Sequence, residues 1–296
     1  MPIHKTQAPE IHESIAPDRQ KAIDYPFCIR DVPEEEIREG RYITRFARTP
    51  EEIDAALRLR FTVFNLELNE GLESSFLTER DEDEFDQTCH HLIVIEKETN
   101  TLVGTYRLRT IEMAKNPRGF YSAGEFKIED LPPEVLNESL EIGRACIARE
   151  HRNSRVLFLL WKGLALYASL KNKRYLFGCC SLFTLDCTEG KKALRQLVRD
   201  GFFHEIFRVA PREECACKAE DFLTADSIEE IELPKLFFTY LRIGAKICGE
   251  PVIDRHFKTI DFFVIFDATT IEPRYYQMFF SQFEHLKSNQ PSAVSS

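Results

Sequence analysis

Glu141 and Arg144 stand three residues apart, with Gly143 between them, in the otherwise mostly apolar run LEIGRACI at 140–147. Such a run reads as a buried strand, where charge is costly unless it is paired or put to use. A carboxylate held there can have a raised pKa and take a proton, directly or through a water. A buried ion pair of Glu141 with Arg144 or Arg107 is the structural alternative, and the two readings are compatible. On a regular strand, side chains three apart point to opposite faces. Gly143 would permit a bulge that re-aims one of them, so a bulge is expected near Gly143. The basic turn Arg149 to Arg152 follows, then Asn153, Ser154 and Arg155 open a long apolar segment. A helix beginning there presents unpaired N–H groups and its dipole to the basic side chains, which makes a place for a phosphate.

Several elements must hold these residues. The pattern TPEEIDAALRLRFTVFNLEL predicts a helix over 50–68, with Thr49 as cap, Pro50 in the first turn and Glu52 completing a capping box. Arg60 and Phe64 ride on it. Strands are expected at His90–Ile95, Leu102–Arg109, Leu140–Ala148, Arg174–Ser181 and Ile260–Phe266, and further helices at 154–171, 189–200 and 234–247. Strand pairs mixed with helices in this order imply one mixed sheet covered on both faces, an α/β (α+β) three-layer sandwich. Residues 1–38, polar and carrying scattered prolines, read as a tail or arm, 39–285 as a single domain with a possible insertion at 203–230, and 286–296 as a disordered tail. The acidic loop ERDEDEFD, six carboxylates in eight residues, reads as solvated or, more sharply, as a loop that meets a cationic substrate.

The net charge of −10 argues against a nucleic-acid binder. Basic residues nonetheless gather locally, at Arg149, His151, Arg152, Arg155, Lys162, Lys171, Lys173 and Arg174, either as a solvated face or as a patch that steers an acidic partner. The amino end has no signal-peptide core and no apolar run reaches the roughly 20 residues of a membrane span. Nine cysteines in that setting point to reduced thiols and a cytoplasmic protein, with peripheral association at the inner face of the membrane left open. Cys146, Cys179, Cys180 and Cys248 read as small buried hydrophobes. Cys215-Ala-Cys217 lacks a second pair at zinc spacing, and no metal is expected.

The runs RLRFTVFNLEL, DEDEFDQTCHHLIVI, LVGTYRLR, FYSAGEF, LEIGRACI, LLWKGLALYA and YLRIGAKICGEPVIDRHFKTIDFFVIF together resemble the hemolysin-like branch of the GNAT acyltransferases, over about residues 41–280. That branch includes ornithine-lipid and glycine-lipid N-acyltransferases and is similar to long-chain N-acyl amino acid synthases and, more distantly, to acyl-homoserine-lactone synthases. The resemblance implies a GNAT-like, mostly antiparallel sheet whose bulge supplies an oxyanion donor. It also implies that a long-chain acyl group, with or without a 3-hydroxyl, passes from a thioester to the α-amine of an amino acid such as ornithine or glycine. Glu141 would be the base or the holder of a base water, with Arg144 and Gly143 beside it. Arg60, Asp83, Asp86, Arg107, Glu141 and Arg144 match a connected polar cluster around donor and acceptor in the lactone synthases, and Phe64 is a further substrate-binding candidate. In that cluster Asp83, Asp86 and Glu84 suit an amine, and Arg60 and Arg107 a carboxylate.

Acetyl-coenzyme A enzymes of this fold resemble one another in a glycine-rich turn before the central helix. Here that turn is REHRNSR, without glycine, so close approach to a diphosphate is disfavoured. Arg149, Arg152, Asn153, Ser154 and Arg155 suit a single phosphate better, such as that on an acyl carrier protein, which is small and acidic. Acyl carrier protein is therefore preferred over acyl-coenzyme A as donor, with no cofactor beyond it. Phenylalanines such as Phe120, Phe126, Phe158, Phe177, Phe183, Phe237, Phe238, Phe262 and Phe263 could line an acyl tunnel, and each, like Trp161, reads first as core. A signal synthase using S-adenosylmethionine and a non-catalytic membrane or partner-binding protein are the alternatives.

Overall fold

The computed structural model describes residues 31–115, 118–218 and 230–287. Among them nine strands form one sheet: β1 (Ile37–Glu39), β2 (Tyr42–Phe46), β3 (His90–Glu96), β4 (Thr101–Thr110), β5 (Ser139–Ile147), β6 (Tyr175–Leu182), β7 (Lys246–Ile247), β8 (Val252–Asp254) and β9 (Thr259–Asp267). Their order is β1-β2-β3-β4-β5-β6-β9-β7, with β8 on β9. Every pairing is antiparallel except β5 with β6. The expected mixed, mostly antiparallel sheet between helices is therefore the fold, and it is GNAT-like.

The helix Ser154–Leu170 packs on one face. Asn153 caps it, its side chain accepting from Val156 N at 3.2 Å, an arrangement worth about 1 kcal/mol. Val156, Leu159, Leu160, Leu164 and Tyr167 join Phe46, Leu92, Val94 and Leu108 of the sheet in the main core. The opposite face carries the helix Pro50–Phe61, whose Ile53, Ala56 and Leu57 pack against Ile93. Thr49 caps that helix as predicted, but Glu52 reaches back to the N–H of Arg48. The helix ends at Phe61 and passes into a wider π-helical turn, Thr62–Glu67.

Several expectations need correction. Ile37–Glu39 pairs with β2, so the ordered sheet begins inside the segment assigned to a tail; the expectations for residues 1–30 and 288–296 lie outside the described residues. The helix predicted over 234–247 stops at Arg242, because Gly244 turns with φ +114° and Lys246–Ile247 pairs with β9. In the described part of the supposed insertion, Val209 and Cys217 are buried, and Val209 N donates to Cys248 O. That part is an irregular connection bonded to the domain; 219–229 lie outside the described residues. Cys187 and Cys217 form a disulfide rather than two reduced thiols.

Candidate active site

The parallel pair β5 and β6 meets only at Ser139–Glu141 and Tyr175–Phe177. Beyond these pairs the strands part. At the fork, a Cβ on Gly178 would stand 2.3 Å from Ile142 O, so only glycine lets the two backbones come so close before they diverge. The wedge opens into a cavity of about 770 Å³, in the range of small-molecule sites.

The bulge lies on the wedge edge. Arg107 pairs with Gly143 and Thr105 with Cys146, so Tyr106 alone faces both Arg144 and Ala145. Arg144, not Gly143, takes the left-handed conformation, at φ +50°. For a residue with a side chain this costs of order 1 kcal/mol, and the surrounding contacts must hold it there. They do: Arg144 donates to Asp81 at 3.2 Å and Asp83 at 3.0 Å, and its guanidinium lies over the rings of Tyr121 and Phe257 at 4.8 and 4.3 Å. The bulge therefore turns Arg144 onto the face that holds Glu141.

Glu141 is buried and makes no ion pair with Arg144 or Arg107 among the described residues. It accepts from Tyr121 N at 2.8 Å, Ser122 N at 2.7 Å and Ser122 Oγ at 2.7 Å. Three of a carboxylate's roughly four acceptor positions are thus used. The remaining one can face the cavity that Glu141 lines.

Arg60, Arg107 and Arg144 interlock with Asp81, Asp83 and Asp86. Arg60 reaches Asp81 at 2.7 Å and Asp86 at 2.7 and 3.2 Å, while Arg107 reaches Asp83 at 2.5 Å and Asp86 at 3.0 Å. Burial alone would raise the Asp86 carboxyl, but Arg60 and Arg107 overcome it and hold that carboxyl far below the usual range. Much of the acidic loop is therefore an internal counter-ion set and not a solvated one. Arg60, Asp83 and Asp86 do not line the cavity, whereas Arg107, Arg144 and Phe64 do. Asp81, fully buried in the network, escaped the sequence reading, although its place two residues before Asp83 was a signal for it.

These features can be set beside known proteins. Residues 59–162 match the family model described as an acetyltransferase (GNAT) domain. The L-ornithine N(alpha)-acyltransferase of Brucella abortus is 33% identical over 254 residues, covering 80% of this chain and 88% of that protein. The protein of the same name from Rhizobium meliloti is 33% identical, covering 78% of this chain and 82% of its own. The chain belongs to this family of GNAT acyltransferases. It is also similar to the solved structure of FeeM, an N-acyl amino acid synthase from uncultured soil microbes, at 12% identity and TM-score 0.44, covering 83% of this chain and 98% of that one.

In this acyltransferase the cavity reaches the amino end of the Ser154–Leu170 helix, where Arg152, Asn153 and Ser154 line it. Arg152 is tied to Ile147 O and Glu67, and Arg149 and Arg155 are exposed. The wider basic patch dissolves, since Lys162 pairs with Glu39, Lys173 with Glu112 and Arg174 with Asp267. The apolar wall includes Leu157, Leu160, Trp161, Phe237 and Phe279; Trp161 is thus both core and wall, and Phe120, Phe126 and Phe263 are core only. No helix among the described residues is long and apolar enough to cross a membrane. One group went unseen in the sequence: Glu125, Asp254 and Asp261, with Glu70 nearby. Burial, with the charges of Asp261 and Asp254 adding, pushes the Glu125 carboxyl well above its ordinary range. Burial likewise raises Asp261 to about 6 and, with Asp261 adding, Glu70 to about 7.

Proposed function

We propose that the protein transfers a long-chain acyl group from an acyl carrier protein thioester to the α-amine of ornithine or a closely similar amino acid. The observation that carries this reading is the parted β5–β6 wedge with Glu141 and the bulge-turned Arg144 at its apex. The phosphate arm of the donor enters by Asn153 and Ser154, and its acyl chain occupies the apolar wall. The thioester carbonyl lies against the bulge, where backbone N–H groups of β5 that lack a β6 partner stabilise the oxyanion. The incoming amine gives its proton to Glu141, or to a water that Glu141 holds, and the thiol leaves protonated. Arg107 and Arg144, at the cavity wall, receive the acceptor's carboxylate, and Arg60, Asp81, Asp83 and Asp86 fix their positions. The names of the relatives support the acceptor. The exposed Arg149 and Arg155 in a chain of net charge −10 support an acidic carrier over free coenzyme A.

The experiment is thiol release from acyl carrier protein thioester against a panel of amino acids. Ornithine should give the fastest release, and Glu141→Gln should slow turnover about 10²-fold or more. The amide would also present an N–H to a backbone donor at Tyr121 or Ser122, so the variant should lose about 1–3 kcal/mol of stability. No release by a folded wild-type protein with any amino acid overturns the reading, and a wild-type rate in Glu141→Gln removes Glu141 from the chemistry.

A further inference from the structure

The carboxylates of Glu125, Asp254 and Asp261 take no part in the transfer chemistry described above. One ligand atom each of Glu125, Cys179 and Asp261 lie within 4.8 Å of one another. Asp261 sits on β9 opposite Ser181 of β6, and Asp254, on β8, is paired with Thr259 of β9, so adjacent strands fix these two, while Glu125 follows the short helical turn Tyr121–Gly124. Glu70, Cys179, Asp254 and Asp261 line the same cavity as Glu141; Glu125 does not, and stands 3.5 Å from the Cys179 sulfur that does. None of the four carboxylates makes an ion pair with a described lysine or arginine. The guanidinium of Arg144 is already bonded to Asp81 and Asp83.

Asp261 carries a second, independent sign. It is only 5% exposed, and its Oδ1 has no hydrogen-bond partner among the described residues. A buried carboxylate oxygen left so, beside other carboxylates, is costly, and a ligand that brings donors and positive charge removes the cost. The group also stands one relay from the reacting centre. Ser122 Oγ, which donates to Glu141, is 3.6 Å from Cys179 Sγ, and that sulfur is 3.5 Å from Glu125 Oε2.

We infer that Glu125, Asp254 and Asp261 form a subsite for the side-chain ammonium of a diamino acid acceptor, whose α-amine then lies at Glu141. This deepens the proposed function and rests on it. An ammonium has three donors and no acceptor, which suits a group of carboxylates that no described lysine or arginine pairs with. A monoamino acid would leave Asp261 Oδ1 without a donor, so the subsite selects by rejection as well as by attraction.

The test compares ornithine with norvaline, its counterpart without the second amine, on the full chain after dialysis against EDTA. The reaction is followed by thiol release from acyl carrier protein thioester, and binding of each amino acid by calorimetry. Wild type should favour ornithine about 100-fold or more in kcat/KM, and Asp261→Asn and Glu125→Gln should each shrink that ratio at least about tenfold, mainly through the KM for ornithine. Folded variants that both keep the wild-type ratio overturn the subsite. Loss of ornithine turnover on EDTA treatment, restored by zinc, overturns it in favour of a metal site. If wild type turns over no amino acid yet binds ornithine, and Asp261→Asn abolishes that binding, the subsite stands and the proposed reaction falls. Absence of both turnover and binding overturns both.

Discussion

Asp86 and Asp261 are both buried carboxylates, and their surroundings drive them in opposite directions. Asp86 has Arg60 and Arg107 against it, and their charge outweighs the cost of burial. Asp261 has burial first, opposed by Ser181 and reinforced by the charge of Asp254, and its carboxyl moves from 3.8 to about 6. The sign of the stability effect follows. As pH rises from about 4 to about 6, the unfolded chain gives up this proton before the folded one does, so the contribution of neutral Asp261 is complete below about 4 and gone above about 6. Two pKa steps correspond to at most about 3 kcal/mol. Asp261→Asn should therefore be about 1–3 kcal/mol more stable than wild type in urea at pH 8, with the gap closing toward pH 4. A variant no more stable at pH 8 would show that the Asp261 site carries no such burden. The candidate residues at 141, 144 and 107 were legible because a charge inside an apolar strand is conspicuous. Glu70, Glu125, Asp254 and Asp261 were not, since they come from distant segments and share no local spacing.

At the scale of elements, β5 does three jobs: it ends its pairing with β6, bulges against β4 and carries Glu141. Gly178 controls the first of these. Gly178→Ala would drive a methyl group into Ile142 O, a backbone atom that cannot rotate away. The strands must separate earlier, and the expected cost is about 1–3 kcal/mol in urea unfolding, as for other overpacked sites. Turnover should fall further than stability alone explains, because the bulge moves with Ile142. Unaltered turnover together with unaltered stability would mean that the fork tolerates a shift without disturbing the apex. The long strands and the Ser154–Leu170 helix were legible within a residue or two, since their apolar periodicity is sustained. The bulge was anticipated from Gly143, but the strained φ fell on Arg144, which its aspartate and aromatic partners hold. The two- and three-residue strands β1, β7 and β8 are too short for any period to register.

Across the whole molecule, an acidic protein exposes Arg149 and Arg155 on either side, in the chain, of the cavity-lining Arg152, Asn153 and Ser154, while most other basic residues named with them are spent on pairs within the chain. Reversing both, Arg149→Glu with Arg155→Glu, should raise the KM for acyl carrier protein about tenfold at low salt and less at high salt, with kcat little affected. If only the amino-acid KM moved, the carrier would dock elsewhere. The sequence by itself determined the layered sheet, the order of its main elements, the family and the neighbourhood of the chemistry, because these follow from periodicity and from motifs contiguous in the chain. Only the tertiary structure decided which charges cancel. Arg60, Asp83 and Asp86, which looked like substrate ligands, are paired off inside a network with Asp81, Arg107 and Arg144. Glu125, Asp254 and Asp261 look unremarkable in the chain, yet the fold gathers them with no lysine or arginine among the described residues in an ion pair with them. Pairing of charges depends on distances across the fold, and a linear sequence does not carry those distances.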